Sequence, residues 1–221
     1  MRKIIGAAFV SLDGVMQAPG GPTEDPTGQF THGGWLPNYS DEVVGQKIGE
    51  LFARPFDLLL GRRTYDIFAA FWPYAEGDDK PMGQLFDGVR KYVVTRGNQP
   101  LSWQNSHRVA GIQEIAGLRN GDGPDLVIQG SSTLYPQLLA AGLLDQLILM
   151  TFPVVLGNGK KLFGPGTPSG AMRIIDQKIT PKGNVIATYQ PDGPVSIGTY
   201  LNSLPSEAES RRREAMAKGI W

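Results

Sequence analysis

Apolar residues gather in short runs that stop at glycine or charge: 3 to 10, 56 to 60 (Phe-Asp-Leu-Leu-Leu), 90 to 95 and 125 to 129. Runs of this length, bounded by turn residues, read as buried strands. Segments of helical size lie between them, and the alternation predicts an α/β fold: βα units around a mostly parallel central sheet, with helices on both faces. From 41 to 54, Val43, Val44, Ile48, Leu51 and Phe52 recur at spacings of three and four. That is one face of a helix, with Ser40 as its N-cap and Asp41 and Glu42 in the first turn. Further helices are predicted from about 64 to 71 and from 131 to 141, where Leu134, Leu138 and Leu139 share a face and Gly142 supplies a left-handed stop. Strand material follows from about 145 to 156. Residues 157 to 170 hold five glycines and two prolines and read as a loop. Two period-two segments, 172 to 179 and 184 to 189, flank Pro181-Lys182-Gly183 and predict a late antiparallel strand pair.

The stretch 14 to 40 has no periodicity and carries six glycines and four prolines. A loop this long in a compact domain is either a functional cover or a surface excursion. Trp35, with Tyr39 and Met16, favours packing over a ligand, which places Trp35 on the substrate side. Beyond 191 the chain turns to Pro191, Gly193 and Pro194 and then to a charged helical stretch from 206 to 218. The expected organisation is a domain over 1–190 and a C-terminal extension over 191–221.

Charge and composition narrow the chemistry. Lys plus Arg equals Asp plus Glu at 21 each, so the chain as a whole offers no field for a nucleic acid or an anionic membrane, and any phosphate must be gripped locally. There is no cysteine, which removes disulfides, thiolate nucleophiles and thiolate metal sites. With only His32 and His107, no metal site is expected. The apolar stretch from Ile4 to Val10 is too short to span a membrane and lacks a signal-peptide pattern, so a soluble cytoplasmic protein is expected.

Three predicted strand ends carry similar groups. Gly61-Arg62-Arg63-Thr64 leads into a helix, Thr95-Arg96-Gly97-Asn98 follows the next strand, and Gly130-Ser131-Ser132-Thr133 follows another. Glycine permits a close turn, a helix start offers free N–H groups, and Arg, Ser and Thr donate to phosphate. Each could equally be a solvated helix start, with Ser131 as an ordinary N-cap. On a parallel sheet ligands collect beyond the carboxyl ends of strands, so the three sites reinforce one another. Neither the dinucleotide fingerprint nor the Walker A pattern is present. Gly157-Asn158-Gly159-Lys160-Lys161 reads as a phosphate turn or, preferably, as a plain tight turn. Asp13, in Ser11-Leu12-Asp13-Gly14, is either a heterocycle-binding acid or a turn residue.

In order along the chain, Ser11-Leu12-Asp13-Gly14, Gly61-Arg62-Arg63-Thr64-Tyr65, Thr95-Arg96, Gly130-Ser131-Ser132 and Phe152-Pro153-Val154-Val155-Leu156-Gly157-Asn158-Gly159 resemble the dihydrofolate reductase-like superfamily. The branch is the one similar to the C-terminal reductase domain of riboflavin biosynthesis deaminase-reductases. The resemblance covers about residues 2 to 190 and implies that fold, NADPH as hydride donor and a small heterocyclic substrate, pterin-like or pyrimidine-like. It implies that Arg62 or Arg63 and Arg96, with Thr95 beside it, meet the adenosine 2′-phosphate. Thr64 would meet the pyrophosphate, and Gly130, Ser131 and Ser132 would form the second pyrophosphate loop. Asp13 is then the catalytic candidate. Gln129 stands where family members usually have the first glycine of a pair, and the pteridine-binding acid of dihydrofolate reductases has no match on the helix at 41 to 54. A non-catalytic nucleotide-binding or assembly protein on the same scaffold is therefore the second reading. A homodimer is expected, with Ile197, Tyr200, Leu201, Leu204 and Trp221 of the extension covering either their own subunit or its partner.

Overall fold

The computed structural model describes residues 1–220, so Trp221 lies outside the described residues. An eight-stranded sheet forms its centre, from β1 (Ile4–Ser11), β2 (Phe56–Gly61), β3 (Lys91–Val94), β4 (Ser106–Val109), β5 (Asp125–Gln129), β6 (Gln146–Phe152), β7 (Met172–Ile179) and β8 (Val185–Pro191). In the order β4-β3-β2-β5-β1-β6-β8-β7, the first six strands are parallel and the last two add antiparallel pairings. The expected α/β sheet with its late antiparallel pair is present.

The faces divide by alternation along each strand. Ile4, Ala8 and Val10 of β1 meet α4 (Ile112–Asn120) and α5 (Leu134–Ala140) on one side. The other side of the sheet packs against α1 (Glu42–Phe52), α2 (Arg62–Phe71) and α3 (Lys80–Gly88) through Val44, Phe52, Tyr65 and Phe86. Gly6 makes the first layer close: a Cβ there would lie 2.5 Å from the Tyr135 ring, so only glycine lets that buried ring rest against β1.

Several boundaries differ from expectation for local reasons. Asp41, not Ser40, caps α1, its Oδ1 accepting from Val44 N at 3.3 Å. α2 begins at Arg62, two residues early. The α5 helix begins only at Leu134, because Ser131 is left-handed at φ 58° and cannot be its N-cap. β6 stops at Phe152, since the chain then turns toward Asp13. α3, β4 and α4 lay among the unassigned segments: α3 is interrupted in sequence by Pro81 and Gly83, and β4 is a polar edge strand exposing His107 and Arg108. Past β8, α6 (Glu207–Ala217) buries no residue, and Ile197 and Tyr200 are fully exposed, so among the described residues this tail does not cover the rest of its own chain.

Candidate functional site

A cleft of about 930 Å³ opens beyond the carboxyl ends of β1, β2 and β5. Gly61, Arg62, Arg63 and Thr64 line one end together with Gln129, Gly130, Ser131, Ser132 and Thr133. The other end is walled by Met16 to Gly21, Thr23, Glu24, Asp25 and Lys160, with Phe9 of β1 also lining the cleft together with Ile67, Phe68 and Phe71 of α2 and Trp72 just after it.

The first end is two strand–turn–helix junctions stitched together. Ser131 N donates to Thr64 Oγ1 at 3.0 Å, and Gly61 N donates to Ser131 Oγ at 2.9 Å. Consecutive left-handed residues, Gly130 at φ 71° and Ser131 at φ 58°, bend the chain sharply, and a Cβ on Gly130 would lie 3.1 Å from Thr64. Turns of this kind gather N–H groups on one concave side. No side chain caps the start of α2, which leaves its first N–H groups and the positive end of its dipole toward the cleft.

The twin arginines separate. Arg62 Nε donates to both oxygens of Asp66 at 2.8 and 2.9 Å and its Nη1 to Gln99 O at 3.1 Å, so its charge is largely consumed. Arg63 is exposed on the cleft rim, and no carboxylate pairs with it among the described residues. Thr95 and Arg96 do not line the cleft; Thr95 Oγ1 accepts from Gly97 N at 3.2 Å, and Arg96 is exposed. The structure thus brings together two of the three expected strand ends.

The second end is built from distant residues. Gln17, only 5% exposed, donates from Nε2 to Asp25 O at 2.9 Å and Thr27 O at 2.8 Å, while its Oε1 accepts from Lys160 N at 3.0 Å. Lys160 Nζ pairs with Asp25 and reaches Thr27 Oγ1 at 2.6 Å. Burial pushes the Asp25 carboxyl up, but hydrogen bonds from Lys160 and Thr27 outweigh it and hold it below the usual range. The Gly157–Lys161 segment is therefore a turn that delivers Lys160 to the wall. Glu24 is different: burial raises its carboxyl above the usual range, although Oε2 accepts from Gly20 N at 2.7 Å and Gly21 N at 3.2 Å.

Besides Thr95 and Arg96, two more expected site residues stand elsewhere. Asp13 does not line the cleft; its carboxylate accepts from Leu156 N at 3.0 Å, Gly157 N at 2.9 Å and Ser11 Oγ at 2.7 Å, and these bonds pull it down from 3.8 to about 2. A carboxyl so acidic is a poor proton donor near neutral pH, and its task is to hold the turn after β6. Trp35 is buried against Phe152 and donates from Nε1 to Gln17 O at 3.0 Å, so it supports the wall from behind rather than touching its inner surface. Gln17, Glu24 and Asp25 were not anticipated, and Lys160 was expected only within a phosphate turn or a plain tight turn. The long loop signalled the first three only as a loop, and the contacts of Gln17 and Asp25 with Lys160 cross more than 130 residues.

Residues 2–188 match the RibD C-terminal domain, and the chain belongs to that family. It is 26% identical over 200 residues to the uncharacterized protein YyaP of Bacillus subtilis (strain 168), covering 87% of this chain and 96% of YyaP. Its fold is similar to that of a putative riboflavin biosynthesis protein from Shewanella sp. PV-4, with a TM-score of 0.62 at 18% identity over 86% of this chain and 99% of that one. It is also similar to dihydrofolate reductase from Enterococcus faecalis, solved with NADP(H) and RAB-propyl, with a TM-score of 0.53 at 16% identity over 86% and 96% of the two chains. These likenesses define a dihydrofolate reductase-like fold of the reductase-like RibD C-terminal family.

Proposed function

We propose that this protein is an NADPH-dependent reductase acting on a small heterocyclic compound, pterin-like or pyrimidine-like. The observation that carries the reading is the two-ended cleft: a phosphate-ready junction with an unpaired arginine faces a wall bearing a carboxyl held above its usual range. The cofactor fits this donor set. Arg63 would meet the 2′-phosphate, with Arg62 beside it held by Asp66, while Thr95 and Arg96, which lie outside the cleft, would contribute less. The α2 start, Thr64 and the turn of Gly130, Ser131 and Ser132 would hold the pyrophosphate. When bound, the reduced nicotinamide supplies a hydride. The protein's own residues bind, orient and provide a proton: Glu24, protonated to higher pH than an ordinary glutamate, donates to the heteroatom beside the reduced carbon and is left as carboxylate.

Titration with NADPH and NADH tests the reading. Micromolar binding with clear preference for NADPH is expected; equal or absent binding of both overturns it. Cofactor binding without oxidation across pterins, pyrimidines and flavin precursors would instead favour the non-catalytic scaffold. We further propose a cytoplasmic homodimer, on the support of the edge strand β7, which exposes Ile174, Ile175 and Ile179, an arrangement that invites pairing unless covered. Light scattering after size exclusion should give twice the 23.9 kDa chain mass, and a single-chain mass at every concentration excludes the dimer.

A further inference from the structure

Gln129 is the last residue of β5 and lines the cleft next to the Gly130–Ser131 turn. On one side of it lies β2, whose end carries the junction at Gly61 to Thr64; on the other lies β1, with Gln129 in register with Ala7 two residues before the cleft-lining Phe9. The side chain therefore stands at the joint between the phosphate end and the substrate end. Its Oε1 is buried and finds no hydrogen-bond donor among the described residues. Buried acceptors are almost always satisfied, because leaving one bare costs the whole desolvation of that group. The neighbouring turn does not need this amide: it is closed by Thr64 and Ser131 alone.

An unfilled amide acceptor at a ligand cleft calls for a ligand donor. We infer that Gln129 orients the cofactor by accepting a hydrogen bond from the carboxamide N–H of its nicotinamide. The inference rests on the proposed cofactor reading. Phosphates held at the adjacent turn tether that ring through a single ribose, which brings it to the ends of β5 and β1. A primary amide on the ligand offers the donor that Oε1 lacks.

The test uses two ligands, NADPH and 2′-phospho-ADP-ribose, the same molecule without the nicotinamide ring, titrated into the intact protein and into Gln129→Leu. Loss of one hydrogen bond is expected to weaken NADPH by about tenfold and to leave the ring-less fragment within roughly twofold of wild type. The urea midpoint of ligand-free Gln129→Leu is expected to equal or exceed that of the wild type, since an unsatisfied polar atom has been removed; a merely structural glutamine would give the opposite sign. Gln129→Met, unbranched and similar in length, repeats the measurement should leucine fail to fold. Unchanged NADPH affinity in a folded variant, or equal weakening of both ligands, overturns the assignment. Wild-type protein that binds neither ligand overturns the cofactor reading itself, and this assignment with it.

Discussion

The two ends of the cleft are made by opposite means. At the proposed phosphate end each group sits where a strand stops and a turn or helix starts, so the local chemistry is set within four or five residues and the two junctions are joined by two ordinary hydrogen bonds between Thr64, Ser131 and Gly61. At the proposed substrate end, a loop without regular secondary structure over most of its length is held to a turn some 140 residues later through Gln17 and Lys160. The first depends on backbone conformation and the second on buried side-chain bonds. Mutations should therefore damage them differently.

The largest effect is expected from Gln17→Leu. It leaves the carbonyls of Asp25 and Thr27 and the N–H of Lys160 without their partner, at a cost of about 3 kcal/mol, since each buried orphan is worth 1–3 kcal/mol. Urea denaturation reads this directly. A loss below about 1 kcal/mol would mean that apolar packing around Trp35 and Phe30 holds the wall, and the contrast between the ends would fail.

Next comes Arg63→Ala, which should weaken NADPH by about 1.5–3 kcal/mol while sparing NADH and the fold. Arg62→Ala should do less to binding, because its guanidinium is already held by Asp66 and Gln99. Arg96→Ala should also do less, because that residue does not line the cleft. Isothermal titration of the three variants with both cofactors ranks them, and a larger effect at Arg62 would reverse the assignment of the pair.

Gly130→Ala should cost about 1–2 kcal/mol of stability, because an L side chain is strained at positive φ and its Cβ would press on Thr64. NADPH affinity should fall with it, whereas Gln17→Leu should harm stability more than phosphate binding. Titration of the 2′-phospho-ADP-ribose fragment against both variants separates the ends.

The smallest effect concerns Asp13. Its folded carboxyl titrates at about 2 against an ordinary 3.8, so it stabilises the fold fully above about pH 4, and that contribution is lost as pH falls through 2. Asp13→Asn should flatten the pH dependence of the melting temperature between 2 and 4 and leave NADPH binding at neutral pH unchanged. A neutral-pH loss of binding would return Asp13 to the functional site.

Apolar runs at 3 to 10, 56 to 60 and 125 to 129 announced buried strands, and the residues that close the second and third announced the proposed phosphate end, because strand burial and turn conformation are local properties. Periodicity also carried α1 and the late hairpin. It could not carry β4, an edge strand whose exposed residues need no alternation, nor the direction of two adjacent arginines, which depends on Asp66 one helical turn onward and on Gln99 across a loop. Asp13 and Trp35 were visible as unusual residues, yet their partners decided their work: backbone N–H groups at 156 and 157 took the carboxylate, and Gln17 took the indole. Glu24 had no signature of its own, and Lys160 had only its place in a glycine-rich turn. Glu24 takes its character from desolvation and from bonds to Gly20 and Gly21 inside its own loop, whereas Lys160 meets Asp25 only once the sheet has brought the first loop and the turn after β6 together.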